Sequence, residues 1–260
     1  MGEIIRVKNI SYGRYEELLI RRDALQKEAF QMERAYVREF GELLLEVFRL
    51  KVECIRKKKT IEYCQMATNR GKSVDVEKLQ EYLRREMEEF QKQLNSMIED
   101  YEEAKMARRI TEAERLKIKK IYRRIVKRIH PDINPLVERT EALRELWQRV
   151  VIAYNCNDLK GLEETEILID NVLKQLGDGS EVTEIPDIDK RIEELTKEIE
   201  TILTTDPYQY KSVLENPEAV RDKKDALEEE KKSYTEYDAR LAEILDGLLG
   251  NGVNVTWQMN

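Results

Sequence analysis

An all-α fold, with long antiparallel helical hairpins as coiled-coil arms around a small helical unit, is predicted by three features of the sequence. Charged residues make up 38% and hydrophobic residues 41%, with only 10 Gly and 5 Pro in 260 residues. That is the profile of exposed helices with narrow apolar seams. Apolar residues recur at threes and fours over long stretches, and the breaks between those stretches carry turn-forming residues.

From Tyr15 the positions Leu18, Leu25, Ala29, Met32, Tyr36, Phe40, Leu43, Val47 and Leu50 keep helical spacing, and no proline interrupts up to Thr68. The run "TNRGKSVD", Thr68 to Asp75, should turn the chain. After it Val76, Leu79, Leu83, Met87, Phe90, Leu94, Met97 and Tyr101 form a near-heptad seam, which predicts an antiparallel hairpin over residues 1–110. Thr111 and Glu114 have capping-box spacing and open a new helix. That helix should end at Ile129, because Pro131 drives His130 out of the α region. Asn134 and Pro135 can cap and begin a further helix, or stay loop until about Thr140. The next seam is Leu143, Trp147, Val150 and Tyr154, and a short helix from Asp158 to about Leu176 completes a central unit over residues 111–177.

Past the linker "GDGSEVTEIPD", the seam Ile188, Ile192, Leu195, Ile199 and Ile202 stops at Asp206-Pro207, and Asn216-Pro217 starts the last helix. These two read as a C-terminal coiled-coil hairpin over residues 178–260. The last helix is too long for its partner, so its distal half is expected on the N-terminal hairpin or on a second copy.

With 46 basic and 53 acidic residues the net charge is −7, which disfavours nucleic acid or an anionic membrane as a partner of the whole chain. Cys54, Cys64 and Cys156 form no CxxC pair, and the first two would stand about 15 Å apart along one helix. No zinc site, cofactor site or local disulfide is expected. No apolar run approaches the length of a bilayer span, and the N-terminus lacks the apolar core of a signal peptide. A soluble protein of a reducing cytoplasm is the expectation.

The chain's one histidine lies in "YRRIVKRIHPDINP", Tyr122 to Pro135. Turn counting puts Ile118, Tyr122, Ile125 and Ile129 on one face of the helix before it, and Lys120, Arg123, Arg124 and Lys127 away from that face. Eight cations and no acid fall between Arg115 and Arg128. Such a run attracts an acidic partner, although taken alone it is more often a solvated face. With no second histidine and no neighbouring Ser or Cys to serve as nucleophile, metal binding or catalysis by His130 is the poorer reading, and no enzyme activity is expected.

Tyr122-Arg123, Ile125, Ile129-His130-Pro131-Asp132 and Asn134-Pro135, followed by Trp147, Val150, Ala153 and Tyr154, resemble the second helix, loop and third helix of J-domain (DnaJ-like) co-chaperones. The resemblance covers roughly Glu112 to Tyr154. It implies docking on the ATPase domain of a DnaK-type 70-kDa heat-shock chaperone and stimulation of its ATP hydrolysis. His130, Pro131 and Asp132 would form the stimulating loop, and Tyr122, Arg123, Arg124, Lys127 and Arg128 the helix that meets the chaperone's acidic surface. The family's first-helix signature is missing, so the end of the long helix near Tyr101 is expected to pack on Tyr122 and Ile125 in its place. The coiled-coil arms would hold a client, a specific target or a second copy, as in a homodimer. The alternative is a structural coiled-coil protein in which this unit is a degenerate J-like spacer.

Overall fold

The computed structural model describes residues 2–106, 110–176 and 187–249, with side chains over 11–106, 110–176 and 187–248. Among the described residues there is no strand. The helices are α1 (Gly2–Asn69), α2 (Val76–Met106), α3 (Glu112–Ile129), α4 (Leu136–Arg139), α5 (Glu141–Asn155), α6 (Leu159–Leu176), α7 (Ile188–Thr204), α8 (Tyr210–Leu214) and α9 (Pro217–Leu249). The all-α expectation holds; the starts of α2, α3 and α9 and the ends of α3 and α7 fall at the turn, capping and proline signals, whereas α1 already begins at Gly2, ahead of the seam read from Tyr15. Gly71 takes φ 65° in the turn after α1, and Asn157 takes φ 57° between α5 and α6. Both residue types tolerate that left-handed backbone. The short α8 has no sequence signal that distinguishes it from loop. The expected linker, except Asp187, and the tail 250–260 lie outside the described residues.

Packing divides the chain otherwise than the three sequence segments do. One compact unit combines Met1–Glu33 with Arg108–Lys211, the other Arg34–Ala107 with Ser212–Asn260. Helix α1 thus supplies residues to both. Helices α7 and α9, read as one C-terminal hairpin, belong to different units. The reason is seam pairing: Ile192 and Leu195 of α7 join the apolar core built on α3, α5 and α6, whereas Leu241 and Leu245 of α9 cluster with Cys54 and Ile61 of α1.

In the second unit, partners on α2 fall in number as those on α1 rise. The Arg34 guanidinium donates to the Glu103 carbonyl, Tyr63 packs on Tyr82, and Lys59 pairs with Glu86. A Cβ at Gly41 would run into the Tyr101 ring, so this glycine permits the close approach. On α9 the partners rise together with α1: Glu39 with Lys224 (2.6 Å), Glu46 with Lys231 (2.8 Å) and Lys57 with Asp238 (2.7 Å). Tyr234 and Leu248 pack on the Cys54, Ile61, Leu241 and Leu245 cluster. The distal half of the last helix therefore packs within this chain, on α1.

The first unit carries the histidine. Its core includes Ile118, Tyr122, Ile125 and Ile129 of α3, Leu143, Val150 and Tyr154 of α5, Leu162 and Ile169 of α6, and Tyr15 and Leu19 of α1. The Tyr101 end of the hairpin does not fill the place of a first helix, since that ring lies against Gly41 in the other unit. Tyr15 and Leu19 of α1, one turn apart, join Tyr122 and Ile125 in that core instead.

Candidate functional site: the turn after the basic helix

Helix α3 begins in a closed capping box. The Glu114 amide donates to Thr111 Oγ1 at 3.2 Å and the Thr111 amide to Glu114 Oε2 at 2.9 Å, which satisfies helix N–H groups that lack a backbone partner. At the other end His130 leaves the helical region, with φ −67° and ψ 129°, as a residue before proline must. The turn that follows is held by its own sequence. The His130 carbonyl accepts from the Ile133 and Asn134 amides at 2.9 and 2.8 Å. Asn134 spends both ends of its side chain: Nδ2 donates to the Arg128 carbonyl (2.7 Å) and Oδ1 accepts from the Leu136 amide (3.0 Å). It thus closes α3 and opens α4 at once. Ile133 and Val137 are buried beneath the turn.

His130 is 3% exposed. Its Nδ1 accepts from the Asp132 amide at 3.1 Å, so the neutral ring carries its proton on Nε2, by inference from that bond. Nε2 faces α1, 3.8 Å from Asp23 Oδ2 and 3.5 Å from Arg22 Nη2. Trp147 meets the ring edge-on at 4.8 Å. Burial pushes the imidazole pKa below its ordinary value, with Arg22 pushing the same way and Asp23 and Asp132 opposing, so His130 is neutral at pH 7.

The surrounding network runs through α1. Asp23 is buried; Oδ1 takes Arg22 Nε at 3.1 Å and Nη2 at 2.9 Å, and Oδ2 takes the Tyr122 hydroxyl at 2.7 Å. Burial, reinforced by Asp23, drives the Tyr122 hydroxyl far above its usual pKa, so it stays a donor. Its ring stacks on Tyr154 at 3.7 Å and 11°, and Lys27 Nζ lies 3.9 Å above the far partner, Tyr154. Burial, with Arg115 adding to it, lowers the Lys27 pKa to about 8. Arg22 also approaches Asp132 (3.8 Å) and Glu198 of α7 (3.5 Å). Burial works against its charge, but the three carboxylates outweigh burial and raise its pKa. A cleft of about 260 Å³ remains between Arg22, Asp23, His130, Asp132, Trp147 and Tyr154.

The cation stripe separates into two sets. Arg124 makes a two-point contact with Glu166 (2.8 and 2.7 Å), Lys127 pairs with Glu16 (2.8 Å) and Arg128 with Asp170. These three were expected to meet a partner, and acids of α1 and α6 hold them within the unit. Lys117, Lys119, Lys120 and Arg123 are exposed and have no ion pair among the described residues. Lys119, Lys120 and Arg123 line a shallow groove of about 310 Å³ with Leu116, which is 59% exposed. Tyr122, expected at the docking face, is a core residue. Pro131 and Asp132 remain partly open at the surface.

Sequence reasoning missed Arg22, Asp23, Lys27 and Glu198. A signal was present: Tyr15, Leu19, Asp23 and Lys27 stand four apart, so the two polar residues continue the buried row of the two apolar ones. Periodicity of apolar residues alone passes over such a row. Comparison of the chain with protein-family models, with curated proteins and with solved structures returns no match.

Proposed function

We propose that the unit built on α3, α5 and α6 is a J-domain-type docking module. It engages the ATPase domain of a DnaK-type 70-kDa chaperone and stimulates ATP hydrolysis, in the cytoplasm where that chaperone and ATP are found. The observation that carries this reading is the exposed, unpaired set Lys119, Lys120 and Arg123 on the helix that leads directly into the partly open Pro131 and Asp132. A one-sign surface beside a pre-organised turn suits recognition of an acidic protein face. In this reading the encounter belongs to Lys119, Lys120 and Arg123, while Arg124, Lys127 and Arg128 keep the unit together. The arms formed by α1, α2 and α9 would then hold a client or a second copy.

Single-turnover ATP hydrolysis by such a chaperone tests the proposal, with the wild-type chain, His130→Gln and the pair Lys120→Glu/Arg123→Glu. Stimulation should vanish in the first variant and fall steeply in the second at low salt. Circular dichroism establishes that each variant is folded. Equal stimulation by all three would refute the docking reading.

Burial of His130 favours a second reading, the structural spacer, in which that residue only closes the core. It expects no stimulation by a folded wild type.

A further inference from the structure

We propose that Arg22 partly masks the His130-Pro131-Asp132 turn, so that a partner cation takes the Asp132 carboxylate in full only by displacing this side chain; the inference rests on the docking reading above. The backbone of α1 is fixed here, because Tyr15 and Leu19 are buried in the core about two turns and one turn before Arg22. The guanidinium is not fixed in the same way. Asp23 grips it from behind at 2.9 and 3.1 Å, while its Nη1 reaches forward to Asp132 at 3.8 Å and Glu198 at 3.5 Å. The forward contacts are longer than hydrogen bonds, so they hold by charge proximity and yield to a closer cation. Behind the same guanidinium lies His130 Nε2, at 3.5 Å from Nη2.

Asp132 is the only acidic side chain of the His130-Pro131-Asp132 turn, and its side chain is 39% exposed. The partner group it would take is a cation, and Arg22 already occupies the position in front of it. Competition between an internal and an external cation lowers apparent affinity by the fraction of time the site is covered. Glu198, on α7, holds the mask from the other side. The turn therefore carries its own competitor, supplied from more than a hundred residues earlier in the chain.

The single histidine makes the test clean. The full chain and its Arg22→Ala and Arg22→Gln variants are treated with diethyl pyrocarbonate at pH 7, and acylation of the His130 peptide is followed by mass spectrometry, alongside stimulated ATP hydrolysis. Arg22→Gln retains a donor for Asp23 and serves if Arg22→Ala does not fold. Removal of the mask should raise both the acylation rate and the stimulation by roughly two- to fivefold, as expected for loss of one solvent-accessible ion pair. An unchanged acylation rate would overturn the mask. Faster acylation with weaker stimulation would overturn it too, making Arg22 a support of the turn. Faster acylation with no stimulation by variant or wild type would overturn the docking reading and with it the regulatory role of Arg22.

Discussion

Replacing Tyr122 with Phe removes one hydroxyl and leaves the ring, its 3.7 Å stack on Tyr154 and the core volume in place. Among the described residues the hydroxyl is the one hydrogen-bond donor to Asp23 Oδ2, at 2.7 Å; His130 Nε2 stands at 3.8 Å from the same oxygen. Arg22 satisfies the other oxygen only. The substitution thus strips one oxygen of a buried carboxylate of its donor, and a lost hydrogen bond to a charged group costs about 1.5–3 kcal/mol. Tyr154→Phe is the control, because the Tyr154 hydroxyl has no hydrogen bond among the described residues, and a change within about 0.5 kcal/mol is expected there. Urea unfolding of both variants, followed by far-UV circular dichroism, measures the difference. With the hydroxyl gone, Asp23 acts more strongly on the imidazole, so the His130 pKa read by NMR should also rise. Equal stability of the two variants, with an unmoved His130 titration, would refute the claim that Tyr122 and Asp23 form one buried unit with the histidine.

Leu19→Ala should destabilise the first unit by about 2–5 kcal/mol, since Leu19 is fully buried in the core shared with α3, α5 and α6; a loss near zero in urea unfolding would show that α1 is not part of that core. The depressed His130 pKa gives a pH dependence of known sign. As pH falls below about 6.5 the unfolded chain takes up this proton before the native chain does, so stability drops by up to about 1.4 kcal/mol per pH unit until the native imidazole also protonates. His130→Gln should lack that component, and identical pH profiles from pH 7 to 5 would contradict the burial. Lys27, with its pKa lowered to about 8 against 10.5 unfolded, leaves the native state with fewer bound protons in that interval, so wild-type stability rises with pH from 8 to 10.5. Lys27→Met removes this component, and the difference between variant and wild type should shift in the wild type's favour across the same interval. A pH-independent difference would place the ammonium in solvent.

Local features of this chain were legible because they act over a few residues. The Thr111–Glu114 capping box and the exit at His130 forced by Pro131 stand where the sequence put them, and of the two continuations open after Asn134-Pro135 the chain takes the helix, for one turn, before α5 starts after Thr140. So does the division of α3 into a buried face of Ile118, Tyr122, Ile125 and Ile129 and an exposed face of cations. Tyr101 was misassigned for the opposite reason: its spacing shows that it belongs to a seam but not which helix that seam meets. The same holds for Ile192 and Leu195, which suit a coiled-coil partner and the core of the first unit equally well.

By itself the sequence determined the long helices, both ends of α3 and the turn that carries His130, Pro131 and Asp132, because hydrogen-bond capping, proline sterics and apolar periodicity are short-range. Only the tertiary structure decided that Asp23 and Lys27 lie on the buried row begun by Tyr15 and Leu19. It also decided that acids of α1 and α6 neutralise Arg124, Lys127 and Arg128, while Lys119, Lys120 and Arg123 stay exposed with no ion pair among the described residues. The contacts responsible join residues 99 and 108 positions apart, Asp23 with Tyr122 and Arg22 with His130. Polar pairings at that separation leave no periodic trace in either segment, since each exists only after the apolar faces have brought the two helices together.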